Sequence, residues 1–98
     1  MNSQATVVTN NPAQQRYELR RGETVLGFAS YRLEGSDTVV FTHTEVDPQQ
    51  EGKGHGSELA RGALDDVGRG TRKVVASCKF IARYIDAHPE YRGLLKNA

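Results

Sequence analysis

Between Glu51 and Ser57 the chain reads Glu-Gly-Lys-Gly-His-Gly-Ser, so Gly52, Gly54 and Gly56 alternate with Lys53 and His55. Directly afterwards Leu59, Ala60, Ala63, Leu64 and Val67 recur at helical spacing, with Glu58, Arg61, Asp65, Asp66 and Arg69 on the opposite side. Glycines that open a helix suit the capture of an anion. The N–H groups of a first helical turn have no internal partner, and the macrodipole makes that end positive. A residue without Cβ also lets the backbone approach a phosphate closely. The chemistry predicted for Gly52, Lys53, Gly54, His55, Gly56 and Ser57 is the holding of a phosphate-bearing ligand. A P-loop would need Gly-Lys-Ser/Thr after four intervening residues, and a dinucleotide fingerprint counted from Gly52 would need glycine where Ser57 stands.

Other reactive side chains flank this turn. Glu45 and His43 lie near the end of the upstream segment VVFTHTEV, Cys78 stands in SCKF, and Tyr84 follows in the last helical stretch. A carboxylate there is a candidate base, or else a solvated strand-end charge. A thiol at a helix start is a candidate nucleophile, a proton donor or a small buried residue. The ring of Tyr84 reads equally as core packing. With three histidines, one cysteine and no close spacing among them, no metal site is expected.

The elements that must position these groups follow from periodicity. Val39–Val46 alternates as a strand, predicted to place Val39, Phe41, His43 and Glu45 on one face and Val40, Thr42, Thr44 and Val46 on the other. Pro48 ends it. Upstream, Tyr17–Arg20 and Thr24–Leu33 read as strands around Gly22-Glu23. Leu26, Phe28 and Ser30 are expected on one side of the second and Val25, Ala29 and Tyr31 on the other, with both sides covered. Glu34–Asp37 is a turn, so these strands pair antiparallel. Gly62 sits in mid-helix at a cost of ~1 kcal/mol relative to Ala, which suggests a close approach to the sheet. Gly68 and Gly70 end the helix, Arg72–Cys78 forms a strand parallel to the third, and Lys79–His88 is a second helix stopped by Pro89. Met1–Gln15, rich in Asn, Gln, Ser and Thr, reads as a flexible tail ahead of a single domain over 16–98. The fold class is α/β: an antiparallel meander, a β-α-β crossover and a C-terminal helix.

Composition narrows the function classes. The 98 residues make one domain, able to bury roughly 60–65% of its unfolded surface. A net charge of +1 gives no basic face for nucleic acid. No apolar run approaches the ~20 residues that span a bilayer, and the first residues lack the pattern of a signal peptide. One cysteine suits a reducing compartment, so a cytoplasmic protein without membrane or nucleic-acid partners is expected, as monomer or dimer.

The turn Glu51–Gly56 resembles the pyrophosphate-binding turn of the GNAT acyltransferases, Arg/Gln-x-x-Gly-x-Gly/Ala, with Glu51 where the motif has Arg or Gln. Together with HTEVDPQQ before it and ASCKFIARYIDAHPEY after it, the segment from Tyr17 to Leu94 is similar to the small YjdJ-type branch of that superfamily. The resemblance implies a minimal GNAT fold lacking the helices usual between the first two strands, acetyl-CoA as cosubstrate, and an amine acceptor, small or protein-borne. It also implies site roles. The backbone N–H of Val46 would face the thioester oxygen, Glu45 would be the general base with His43 to orient it, and Cys78 would line the thioester pocket. Tyr84, or Tyr91 in its stead, would protonate the departing thiolate. Lys53, Arg69, Arg72 and Lys73 are candidates to meet the phosphates. The other reading is a CoA-binding module with no useful catalysis, acting as a regulatory or interaction protein.

Overall fold

The computed structural model describes residues 5–47 and 54–96. Five strands, β1 (Thr6–Asn11), β2 (Arg16–Arg21), β3 (Thr24–Glu34), β4 (Thr38–Val46) and β5 (Lys73–Ala76), form one sheet in sequence order. The first four make an antiparallel meander, and β5 lies parallel to β4 after the crossover helix α1 (His55–Gly68). Helix α2 (Lys79–Ala87) and a 3-10 turn over Pro89–Leu94 complete the described chain. The expected α/β class and the meander followed by a crossover are therefore present. Among the described residues no helix is long and apolar enough to cross a membrane.

The tail predicted for Met1–Gln15 needs correction, because Thr6–Asn11 is the edge strand β1, paired with β2 from Thr6↔Arg21 to Asn11↔Arg16. Its polar residues mislead because an edge strand with one open face uses them as partners. Asn10 accepts the Tyr31 hydroxyl at 2.7 Å, Asn11 donates to Glu18 at 3.1 Å, and the Thr6 hydroxyl donates to Glu58 on α1. The first two strands, β1 and β2, are joined by the turn 12–15 with no helix between them.

Val8 faces α1, where it explains Gly62. A Cβ added at Gly62 would lie 2.6 Å from the Val8 Cβ. Gly62→Ala should gain helix propensity yet destabilise by a net ~1–2 kcal/mol, because a β-branched strand residue cannot swing aside. In a Val8→Ala background the same change should become neutral or stabilising. Denaturant melts of the four proteins in that cycle test the contact, and additive effects would refute it.

Both helices pack on the sheet face that carries Tyr17, Ala29, Val39, Phe41 and Val74. Leu59 and Leu64 from α1 and Ile81 from α2 are fully buried there, each contributing roughly 1.5–3 kcal/mol. Two register shifts change which side chains reach this face. One between Leu19 and Arg20 leaves Leu26 as an extra residue in β3, so Leu26 joins Ala29 and Tyr31 in the core and not Phe28. The other leaves Thr42 as an extra residue in β4, because Ser30 pairs with His43 and Tyr31 with Phe41. A one-residue bulge inverts every side chain beyond it. Val39 and Phe41 thus belong to the core, whereas His43 and Glu45, predicted on their face, point to the reverse side with their cross-strand partners Ser30 and Phe28.

Candidate active site

Strand β5 accompanies β4 only from Thr38↔Lys73 to Phe41↔Ala76, and the Ser77 N–H to Phe41 carbonyl bond, 3.0 Å, is the last between them. Beyond it the chain turns into α2, whose N-cap residue is Cys78, while β4 runs on to Val46 beside β3 alone. The far edge of β4 is thereby open. Asp47 donates its N–H to the Leu26 carbonyl at 2.7 Å, and Phe28 and Ser30 face Glu45 and His43. Since antiparallel strands direct alternate residues toward the same neighbour, the N–H groups of Thr44 and Val46 point away from β3, into the opening.

Thr44, on the core side after the bulge, reaches across the opening. Its hydroxyl lies 3.3 Å from the Cys78 sulfur. Cys78 is buried, and a hydroxyl rather than a base is the partner found for it. Glu45 and His43 meet on the reverse face, with His43 Nε2 2.9 Å from Glu45 Oε2 and both side chains more than half exposed. Beside them is a shallow groove of about 300 Å³ lined by Arg16, Gly27, Phe28, Glu45, Val46 and Asp47. Its wall is stiffened electrostatically. The Arg16 guanidinium lies 4.6 Å above the Phe28 ring and donates to Glu18 at 2.8 Å. Glu18, almost wholly buried, also accepts from Arg20 and Asn11. Burial alone would raise its carboxyl, but the hydrogen bonds from Arg16, Asn11 and Arg20 hold it down at about 2.

The other flank of the opening is the start of α1. Gly54 is its N-cap residue in the left-handed region, with φ 77°, and no side chain caps the helix. His55, Gly56 and Ser57 form the first turn. His55 is buried, and among the described residues its Nδ1 has no hydrogen-bond partner. The ring of Phe80 lies against Gly56, 2.7 Å from the position a Cβ would take. Glu51, Gly52 and Lys53 lie outside the described residues.

Other predicted groups make contacts of their own. Burial raises the pKa of Tyr84, the charges of Arg61, Glu90 and Asp65 act on it more weakly, and its ring stacks on His88 at 4.0 Å. Among the described residues, no hydrogen bond or ring contact joins it to Thr44, Glu45 or Cys78. The Tyr91 hydroxyl donates to Asp65 at 2.7 Å, and burial with that bond raises its pKa too. Arg69, at the far end of α1, pairs with Asp66, and Arg72 and Lys73 stand where β5 begins. A 14-residue helix separates them from Gly54, a span of roughly 20 Å, so one phosphate cannot touch both ends. Thr44, Phe28, Arg16 and Phe80 are neighbours of the site that periodicity alone did not single out.

Comparison with known proteins agrees with this fold. The family model for GCN5-related N-acetyltransferases matches residues 16–94. A GCN5-like candidate N-acetyltransferase from Staphylococcus aureus, solved by NMR in solution, superposes with a TM-score of 0.71 at 19% identity, covering 97% of this chain and 90% of that one. None of the curated proteins compared matches significantly. The family match spans most of the chain, and the protein belongs to the GCN5-related N-acetyltransferases.

Proposed function

We propose that this chain transfers the acetyl group of acetyl-CoA to an amine by direct attack, with Glu45 as the general base. The observation that carries the reading is the edge of β4 beyond Phe41, where among the described residues the N–H groups of Thr44 and Val46 have no strand to bond. A thioester carbonyl laid along that edge would find donors already in place for its oxygen. The start of α1 supports the same ligand. It has no side-chain cap, and among the described residues a Cβ built at Gly54 would meet nothing within 4 Å and the His55 Nδ1 lacks a partner. Residues Gly54–Ser57 therefore fit a phosphate group. Acetyl-CoA, when bound, supplies the activated acyl carbon.

The roles of the protein's own groups follow. Glu45 takes a proton from the incoming ammonium, His43 holds the carboxylate, and Val46 N–H bonds the acetyl oxygen. The amine nitrogen bonds to the acetyl carbon as the C–S bond breaks, and the electron pair leaves with sulfur. The second proton that the nitrogen sheds on becoming an amide goes to that thiolate, which departs as the thiol of CoA. The uncapped start of α2 is a positive end that favours the departing thiolate. Cys78 lines the pocket and forms no acetyl-enzyme, because a covalent route needs an activating base or cation and its partner is the Thr44 hydroxyl. Direct attack needs only proximity and a base. The groove beside Glu45 is shallow and open, which suits either a small amine or one borne on a protein.

Release of free CoA from acetyl-CoA, measured against a panel of amines and peptides, tests the reading. An acceptor-dependent release is expected, and on CoA titration the amides of Gly54, His55 and Gly56 should shift most. Shifts at these amides without release from any acceptor would favour the binding-module alternative, and shifts centred elsewhere would remove both. Mass spectrometry with acetyl-CoA alone should find Cys78 unmodified. An adduct that forms quickly and passes to added amine at the turnover rate would overturn direct transfer.

A further inference from the structure

We propose that His55 is a positioning residue for the acyl donor, with an Nδ1 that finds no partner among the described residues and is completed by a phosphate oxygen of the bound ligand. The inference rests on the acetyl-CoA reading above and adds a side-chain donor to the backbone N–H groups of the turn.

His55 opens the buried stripe of α1, and the other members, Leu59, Ala60, Ala63, Leu64 and Val67, are aliphatic. His55 is only 7% exposed. Among the described residues, its Nδ1 is the one buried side-chain nitrogen or oxygen that finds no hydrogen-bond partner. Either neutral tautomer leaves that atom unsatisfied, as a bare donor or a bare acceptor, and a desolvated polar atom in that condition is unfavourable. Leucine or isoleucine would continue the stripe without the penalty. The polar ring gains a purpose if something absent from the free protein supplies the missing partner.

Covalent geometry restricts what that partner is. Nδ1 is two bonds beyond Cβ, so it stays within the first turn of α1 whatever the rotamer. The backbone N–H groups of His55, Gly56 and Ser57, which the helix leaves unused, lie in the same turn. The turn is also built to admit an occupant. Among the described residues nothing fills the place where a Cβ of Gly54 would stand, no side chain caps the helix, and the Phe80 ring closes the Gly56 side with an apolar wall. An anion at this helix start selects the tautomer with the proton on Nδ1, which then donates. The chemical class recognised is a phosphate or diphosphate ester, here the diphosphate of a CoA thioester.

Three proteins decide the matter: wild type, His55→Leu, and His55→Asn, whose amide nitrogen can occupy the place of Nδ1. CoA affinity is measured by calorimetry, and the free proteins are melted in parallel. His55→Leu should weaken CoA binding about 10-fold or more, the size expected for one hydrogen bond to a charged group. Its melting temperature without ligand should be unchanged or higher, because an unpaired polar atom has been removed. His55→Asn should restore affinity to within about 3-fold of wild type, a rescue that plain core packing would not produce. Wild-type affinity in His55→Leu, or equally weak binding by both variants, would overturn the proposal. If His55→Leu fails to fold, the ring nitrogen resonances of ¹⁵N-histidine wild type decide alone. The Nδ1 signal of His55 should move on adding CoA, and an unmoved signal in a saturated sample refutes the contact. Absence of CoA binding by the wild type would instead sink the acetyl-CoA reading itself.

Discussion

Glu45→Gln is expected to lower turnover by about 10²–10⁴, the usual contribution of a general base, while leaving CoA affinity within about twofold. The substitution keeps the shape of the side chain and removes its basicity. Glu45 is also well suited to such a test because it carries little structural load. It and His43 are both more than half exposed, and an exposed pair of this kind is worth roughly 0–1 kcal/mol. The variant should therefore melt with wild type, so that a rate loss reports chemistry alone. The start of α1 belongs to a different element, and among the described residues no hydrogen bond joins its first turn to Glu45. Normal turnover at neutral pH would exclude Glu45 as the base. Loss of CoA affinity in step with turnover would mean that the carboxylate shapes the cofactor site and takes no proton.

Glu18→Gln should produce the largest change in stability. The Glu18 carboxylate is almost fully buried on the reverse face of the sheet and accepts from Arg16, Arg20 and Asn11. Its folded-state pKa of about 2 lies below the ordinary 4.5. A carboxyl whose pKa is depressed by folding contributes fully above its unfolded value and loses that contribution as pH falls toward the folded one. Here the window runs from 4.5 down to about 2. The linked free energy is about 2–3 kcal/mol, at the lower end because Arg16 and Arg20 remain partly in water. At neutral pH the variant should thus be less stable by about 2 kcal/mol, since the two guanidiniums lose their charged partner. The gap between wild type and variant should close as pH approaches 2. Denaturant titrations at pH 7, 4 and 2.5 measure it, and a gap independent of pH would show that the ion pairs are not its source. Because Arg16 also lies over Phe28 in the groove beside Glu45, a rise in acceptor KM is expected alongside.

The elements of this protein were legible in its sequence because each rests on local physics. Period-two alternation marked β2, β3 and β4, helical spacing marked α1 and α2, and alternating glycines before an apolar stripe marked the start of a helix. A helix between two strands dictates a parallel crossover whatever the rest of the chain does, so the placement of β5 followed too. Side-chain facing was different. VVFTHTEV alternates without a flaw, and only its pairing with β3 reveals that Thr42 is an extra residue. That shift sends Glu45 and His43 to the open face and brings Thr44 to Cys78, because register belongs to two strands and neither one encodes it alone. Tertiary contact likewise decided β1, whose Asn and Thr residues read as a tail until Tyr31, Glu18 and Glu58 supplied their partners. It also set Tyr84 among Arg61, Asp65 and Glu90, since helical spacing fixes the angle at which a side chain leaves its helix but not which neighbour it meets.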